Sequence, residues 1–249
     1  MILSVYSLWR RDVVRFLRQP SRIVGALLTP VIFWFVIGSG LGSSFQTGAG
    51  EGGFLPYYFP GSLALIVLFT AIFATISIIE DRQEGFLQGV LASPAPRLAI
   101  VLGKALGGTT LAVLNGVVLL LFLPLSGLTP GFTGLLATVA CVALLGLALS
   151  GLGIMIAWPL KSTQGFHAIM NVVLVPMWLL SGALFPAEGA AAWVRVLMRL
   201  NPLTPAVDIL RALLTNAPAA QLASSAATVA AFALVTLSLA TLLVSRPTR

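Results

Sequence analysis

The chain has 249 residues, of which 58% are hydrophobic and only 8% charged, with a net charge of +7. Soluble domains carry roughly 25% charged residues, and a soluble fold of this length is unable to hide so much apolar surface, so the composition specifies an all-α polytopic membrane protein. The single cysteine, Cys141, has no partner, which excludes an internal disulfide.

The first twenty residues lack the uninterrupted apolar core of a cleavable signal peptide and carry Arg10, Arg11, Arg15 and Arg18. Read as a helix, Ile2, Tyr6, Trp9, Val13, Phe16 and Leu17 share one face, with Arg11, Arg15 and Arg18 opposite. That pattern predicts an interfacial amphipathic helix over 1–21, ended by Pro20. Six spans follow, each near the roughly 20 residues that cross the hydrocarbon. The first runs over Ile23 to Leu41, with Pro30 as a bend, and a polar loop follows from Gly42 to Gly53. The second is Tyr58 to Ile79. The third is Leu98 to Leu125, with Lys104 near its entry end, where a lysine snorkels to water. After a turn at Pro130-Gly131, the fourth runs from Phe132 to Trp158. Lys161, Ser162 and Thr163 make a polar turn, and the fifth span is Phe166 to Phe185. The sixth is Leu222 to Val244, before a basic tail ending at Arg249.

Two segments between spans differ from ordinary loops. Glu80, Asp81, Arg82 and Glu84 form the densest run of mixed charge, between two apolar stretches. Such a run belongs in water, which marks 80–97 as an aqueous segment. As a helix it places Phe86, Leu87, Val90 and Leu91 on one apolar ridge that needs a covering surface, either lipid headgroups or a protein. Residues 186–215 contain Glu188, Arg195, Arg199, Asp208 and Arg211. Charges cost about 2.5–3.5 kcal/mol each at mid-bilayer, so this segment reads as two short outer helices that dip into the interface, broken at Asn201-Pro202.

Lysine and arginine counts set orientation. With the N-terminus cytoplasmic, that side holds Arg10, Arg11, Arg15, Arg18, Arg22, Arg82, Arg97, Lys104, Lys161, Arg246 and Arg249. The outer side holds Arg195, Arg199 and Arg211. The basic balance therefore belongs to topology and anionic lipid, not to nucleic acid. An even number of spans returns the C-terminus to the cytoplasm.

Within the spans, His167, Asn171, Leu174, Trp178 and Ser181 are spaced by about four, three, four and three, and so fall on one helical face. Such a stripe reads either as a translocation pathway or subunit seam, or as hydrogen bonding inside one bundle. Phe33, Trp34 and Phe35 with Phe69 and Phe73 read as an aromatic gate or as ordinary packing. Gly103 and Gly107 form a Gly-x-x-x-Gly pair for close helix contact. Metal ligation is not expected: the lone His167 has no second histidine, cysteine or carboxylate at ligand spacing. A rhomboid-like serine protease is disfavoured too, since Ser150-Gly151 and Ser181-Gly182 lack the preceding glycine. Gly38, Gly40 and Gly42 sit in no strand–helix phosphate cradle. No Gly-x-x-x-x-Gly-Lys-Ser/Thr loop is present.

Three stretches carry a family resemblance. Asp81-Arg-Gln-Glu-Gly-Phe-Leu-Gln-Gly-Val-Leu-Ala-Ser-Pro94 resembles the segment between the second and third spans of type-2 ATP-binding-cassette (ABC) exporter permeases, above all the drug-resistance and nodulation-factor branch. Tyr58-Phe-Pro-Gly61 opens the second span as in that family. Pro176-Met-Trp-Leu-Leu-Ser-Gly-Ala-Leu-Phe-Pro186 and Asn201-Pro-Leu-Thr-Pro-Ala-Val-Asp-Ile-Leu-Arg211 are similar to its fifth-span and outer-helix signature. Pro205 departs from the aromatic residue that many relatives carry there.

The resemblance implies a permease subunit of an ATP-driven exporter, a homodimer with two ABC ATPase subunits, in the cell inner membrane among its lipids. It implies an ATPase-coupling segment made of Glu80, Asp81, Arg82, Glu84, Gly85, Phe86, Leu87, Val90 and Leu91. It implies a pathway or seam drawing on Phe33, Phe69, Phe73, His167, Asn171, Trp178 and Ser181. It also implies an outer re-entrant region with Phe185, Pro186, Asn201, Pro202, Asp208 and Arg211. No cofactor is expected on this chain, with ATP and magnesium held by the partner, and no catalytic residue. The cargo class is a hydrophobic, amphiphilic or lipid-linked molecule: a drug, glycolipid or polysaccharide. The alternatives are an ATPase-independent secondary carrier and a membrane assembly scaffold.

Overall fold

The structure, a computed structural model, describes residues 1–40, 53–217 and 222–246. The expected Gly42–Gly53 loop, apart from Gly53, and Arg249 lie outside the described residues, as does the side chain of Arg22.

Helix α1 (Ile2–Leu17) is followed at once by α2 (Pro20–Gly40). Pro20 thus opens the second helix, where its missing N–H is harmless, as well as closing the first. Helix α2 is assigned as helix straight through Pro30. Helices α3 (Phe54–Ala74) and α4 (Ile76–Gln83) are separated only by Thr75. Together they form a 30-residue apolar rod, Phe54–Gln83. At 1.5 Å per residue that is about 45 Å, against a hydrocarbon core of about 30 Å, so an end must project beyond the bilayer.

A seven-residue helix, α5 (Phe86–Ala92), follows, then α6 (Arg97–Leu120), a 3₁₀ turn at Leu123–Ser126 and α7 (Phe132–Ala157). Ser162 caps α8 (Thr163–Leu179) by accepting the Gly165 N–H at 3.1 Å. Helices α9 (Ala192–Leu200) and α10 (Thr204–Thr215) break at Asn201 as expected, and α11 (Leu222–Ser245) completes the fold. No strand occurs among the described residues.

Four helices among the described residues are long and apolar enough to cross a membrane: the α3–α4 rod, α6, α7 and α11. The other two expected spans correspond to α2 and to the 17-residue α8. The rod α3 is central, with Leu63, Ile66, Leu68 and Ile72 fully buried against α6, α7 and α10. Small residues set the distances between helices. A Cβ on Gly151 of α7 would meet Thr236 Oγ1 of α11 at 2.6 Å, and Thr236 donates to the Ala148 carbonyl at 3.0 Å. Asn115 of α6 donates to Thr70 of α3 at 3.0 Å, a buried polar pair satisfied within the bundle.

The Gly103–Gly107 pair does make a close helix contact, and its partner is α1. A Cβ on Gly103 would lie 2.8 Å from Leu8 Cβ, and one on Gly107 would lie 3.2 Å from Asp12 Cβ. Helix α1 therefore packs on the bundle through Leu8 and Asp12, while Ile2, Tyr6 and Leu17 stay exposed. The apolar face named above is divided, since Trp9 donates to Thr110 Oγ1 of α6 at 2.9 Å and Val13 and Phe16 are half-buried. Two of the arginines placed opposite it, Arg11 and Arg15, turn inward.

The outer pair behaves unequally. Helix α10 is built into the bundle through Ala206, Val207, Ile209, Leu210 and Leu214, whereas α9 leaves Trp193, Val196 and Leu200 exposed.

Candidate functional site

The mixed-charge run does not lie in water as a whole. Asp81 is fully buried and is the hub of an ion cluster. Arg11 of α1 holds it with both guanidinium nitrogens, at 2.7 Å to Oδ1 and 2.9 Å to Oδ2. Arg15 reaches Oδ1 at 3.1 Å, and Lys104 of α6 reaches Oδ2 at 2.6 Å. Lys104 is buried too, and it also donates to Asp12 at 3.0 Å and Ser77 at 3.1 Å. The expectation of a snorkelling lysine is corrected: an ammonium in direct contact with two carboxylates from neighbouring helices gains more from them than from an extended path to water. Burial pushes the Asp12 carboxyl above its ordinary value, and the Lys104 ammonium pulls against it. Arg15 continues outward to Glu80 at 3.2 Å and Glu84 at 2.9 Å.

Arg82 is likewise a structural anchor. It donates to the carbonyls of Trp158 and Leu160, each at 2.7 Å, and Gln83 donates to the Lys161 carbonyl at 3.0 Å. Those carbonyls follow the C-terminus of α7, where a cation suits the negative end of the helix dipole. The end of α4 is thereby pinned to α1, α6 and α7 together.

Gly85, at φ +78, makes the left-handed turn from α4 into α5 that a side chain would strain. Helix α5 then turns the expected ridge inward. Leu87 is buried and Leu91 packs against the core, while Val90 is half-buried. Phe86 is partly covered by Arg11, whose guanidinium carbon sits 3.7 Å from the ring centroid. The ridge is thus covered by this chain at Leu87 and Leu91, whereas Phe86 stays 37% exposed at its start. Beside Phe86, the segment presents outward Glu84, Gly85, Gln88, Gly89, Ala92 and Ser93, a strip of small and polar residues. A Cβ on Gly89 would meet nothing within 4 Å.

The polar stripe on α8 is divided. Phe166, Met170, Leu174 and Trp178, spaced by four, face the bundle, and Ser181 is buried beyond them. His167 and Asn171 are exposed at the edge of that face. Trp178 donates to the Gly61 carbonyl at 2.9 Å and Ser181 to the Trp178 carbonyl at 2.6 Å, so these two are bundle contacts. Phe69, Phe73 and His167 do come together: Phe69 stacks on Phe73 at 5.5 Å, and the Phe73 and His167 rings lie 5.4 Å apart. Phe33 is exposed on α2, whereas its neighbour Trp34 is buried against Phe59.

Asn201 ties the α9–α10 break to α8, donating to the Met177 carbonyl and accepting from the Leu203 N–H at 3.0 Å. Arg211 donates to the Gly182 carbonyl at 2.7 Å, where Tyr57 OH also donates at 3.2 Å, and its guanidinium covers the Tyr57 ring at 4.4 Å. Asp208 pairs with Arg211 only at 3.8 Å and is exposed. Phe185 and Pro186 are half-buried, as is Pro202.

The model of the ABC-2 type transporter family matches residues 4–215, a range that takes in α1, the ion cluster, α5 and the outer helices. The chain belongs to that family. Among its relatives, nodulation protein J of Rhizobium leguminosarum bv. trifolii is 26% identical, covering 98% of this chain and 94% of its own length. A putative transport permease, ycf38, of Cyanophora paradoxa is 24% identical over 86% of this chain and 75% of its own. A probable multidrug ABC transporter permease, YbhR, of Escherichia coli K12 is 28% identical over 60% of this chain and 41% of its own. This chain is accordingly an ABC-2 transporter permease, an integral membrane component of a transport system.

Sequence reasoning did not single out Asp12, and it read Arg11, Arg15 and Lys104 in other roles. A signal was present. Asp12 is the only acidic residue before Glu51, and Lys104 is the only lysine inside an apolar span. Two charges so placed need each other.

Proposed function

We propose that this permease is the membrane-spanning subunit of an ATP-driven exporter, working as a homodimer with two ABC ATPase subunits that dock on the outward strip of α5. It spans the inner membrane six times with both termini cytoplasmic, the additional spans being α2 and α8. ATP and magnesium reside on the partner, and this chain holds no cofactor.

The observation that carries the reading is the pairing of a bare strip with a rigid mount. Gln88, Gly89 and Ala92 offer a partner close backbone approach, while Asp81, Arg82 and Leu87 tie the same segment to α1, α6 and α7. A force applied at Gly89 then reaches three helices without being absorbed in a loose loop. Nucleotide-driven movement of the ATPases would shift the bundle between two states and open a path along α2, α3 and α8, lined by Phe33, Phe69, Phe73, His167 and Asn171. The outer helices, with Arg211 on Gly182, would shape the exit. The largely uncharged exposed faces favour a hydrophobic, amphiphilic or lipid-linked cargo, and the Escherichia coli relative is named a probable multidrug permease.

Reconstitution tests the reading. Permease with its co-purifying ATPase should export a fluorescent amphiphilic drug or a lipid-linked glycan from proteoliposomes only when ATP is present. Equal transport by the permease alone would establish the secondary-carrier alternative instead.

A further inference from the structure

One charged feature is not used by the coupling segment. An open trough of about 640 Å³ runs along α1, lined by Tyr6, Arg10, Arg11, Arg15, Arg18 and Gln19 among others. Arg11 and Arg15 are shared with Asp81, Glu80 and Glu84. Arg10 and Arg18 are exposed, and neither has an acidic partner among the described residues. Four guanidinium groups along one trough make a site for a phosphate, which arginine binds through paired N–H donors.

A second observation narrows the ligand. Gln19 lines this trough, and its side-chain oxygen is buried without a hydrogen-bond partner among the described residues. A buried acceptor left unpaired calls for a donor, and the ionised phosphodiester of a lipid has none. A headgroup carrying both a phosphate and a hydroxyl supplies each need. A third observation gives the source. Ile2, Leu3, Tyr6 and Leu17 are exposed on the same helix and offer an apolar surface for acyl chains.

We propose that the trough on α1 binds the headgroup of an anionic hydroxyl-bearing glycerophospholipid, of the phosphatidylglycerol type, with Arg10 and Arg18 on the phosphate and Gln19 accepting from the hydroxyl. The site adjoins the ion cluster, so a bound phosphate competes with Glu84 for Arg15 and with Asp81 for Arg11. Lipid occupancy thereby acts on the mount of α5. The inference needs no ATPase, so its failure leaves the proposed function standing and the reverse also holds.

The experiment uses the full permease in a neutral maltoside detergent, with dioctanoyl-phosphatidylglycerol titrated by microscale thermophoresis. Dioctanoyl-phosphatidylmethanol, dioctanoyl-phosphatidylcholine, glycerol 3-phosphate and inorganic phosphate are titrated in parallel. Saturable binding is expected for phosphatidylglycerol, weaker for phosphatidylmethanol and absent for the other three. A surface arginine contributes roughly fivefold to such binding, so Arg10→Ala with Arg18→Ala should weaken it by roughly 25-fold. Gln19→Leu should erase the preference for phosphatidylglycerol over phosphatidylmethanol, which has the phosphodiester without the hydroxyl. Equal binding of phosphatidylcholine, a loss below about fivefold in the double variant, or an unchanged preference in the Gln19 variant overturns the proposal. Equally tight binding of glycerol 3-phosphate overturns the lipid as its source. Should the double variant fail to fold, Arg10→Gln alone is read in the same titration, and a shift below about threefold overturns it.

Discussion

Asp81 concentrates more of the permease's electrostatics than any other residue described. It is surrounded by Arg11, Arg15 and Lys104, with Asp12 and Ser77 completing the satisfaction of the ammonium. Removing the acceptor strands buried cations, which costs about 3–5 kcal/mol where it has been studied. Asp81→Ala is therefore expected to lower thermal stability in detergent by that order, and adding Lys104→Met should recover part of the loss, because the stranded ammonium leaves with it. A single variant as stable as the parent would show that the cluster does not hold the fold. Arg82→Ala is the milder case. It uncovers the carbonyls of Trp158, a buried residue, and Leu160, a half-buried one, and an unpaired buried acceptor costs roughly 1–3 kcal/mol. A shift at the low end of that range is expected in the same unfolding assay.

At the scale of elements, α1 and α5 matter for opposite reasons. Helix α1 depends on the absence of side chains at Gly103 and Gly107. Gly103→Leu overfills the contact with Leu8 and Val5, at a cost of roughly 1–3 kcal/mol for overpacking, and should free α1 to protease in detergent. Continued protection would refute the packing. Helix α5 depends on its bare side. Gly89→Trp has nothing to clash with inside this chain, so stability should stay within about 0.5 kcal/mol, as for surface substitutions in general. ATPase co-purification and ATP-dependent export should both be lost. Intact co-purification would remove α5 as the docking site. Gly85→Trp is a poorer probe, since φ +78 makes any side chain there strained whether or not a partner docks.

At the scale of the molecule, the chain is left with large uncovered apolar faces on α2, α8 and α11. Lipid accounts for such surface in a membrane protein, but His167 and Asn171, exposed at the edge of α8's packed face, suit a seam or a wet path better than acyl chains. In the proposed homodimer, Val172→Cys on the exposed face of α8 should cross-link between subunits under mild oxidation, while Leu65→Cys inside the bundle should not. Monomers only, in native membranes, would place the seam elsewhere. Much of this scale was readable beforehand. Helices α6, α7 and α11 begin and end within a few residues of the expected spans, because the length of an apolar stretch is itself the signal. The Asn201-Pro202 break was equally plain, since Pro and a capping Asn punctuate a helix locally.

What the sequence determined by itself is everything that depends on one segment and its solvent: the membrane class, the places where helices start and stop, the amphipathic N-terminal helix and the existence of a short helix between the second and third spans. What only the tertiary structure decided is which side of each helix finds a partner. Charge read along the chain assigns Asp81 and Lys104 to water, because water is the only counter-charge a single segment can see. Packing brings Asp12, Arg11 and Lys104 from helices far apart in sequence to the same carboxylate. In the same way α5 turns Leu87 and Leu91 of its apolar ridge onto its own bundle and Gly89 outward. A periodic pattern reveals that a face will be covered, and only the fold reveals by what.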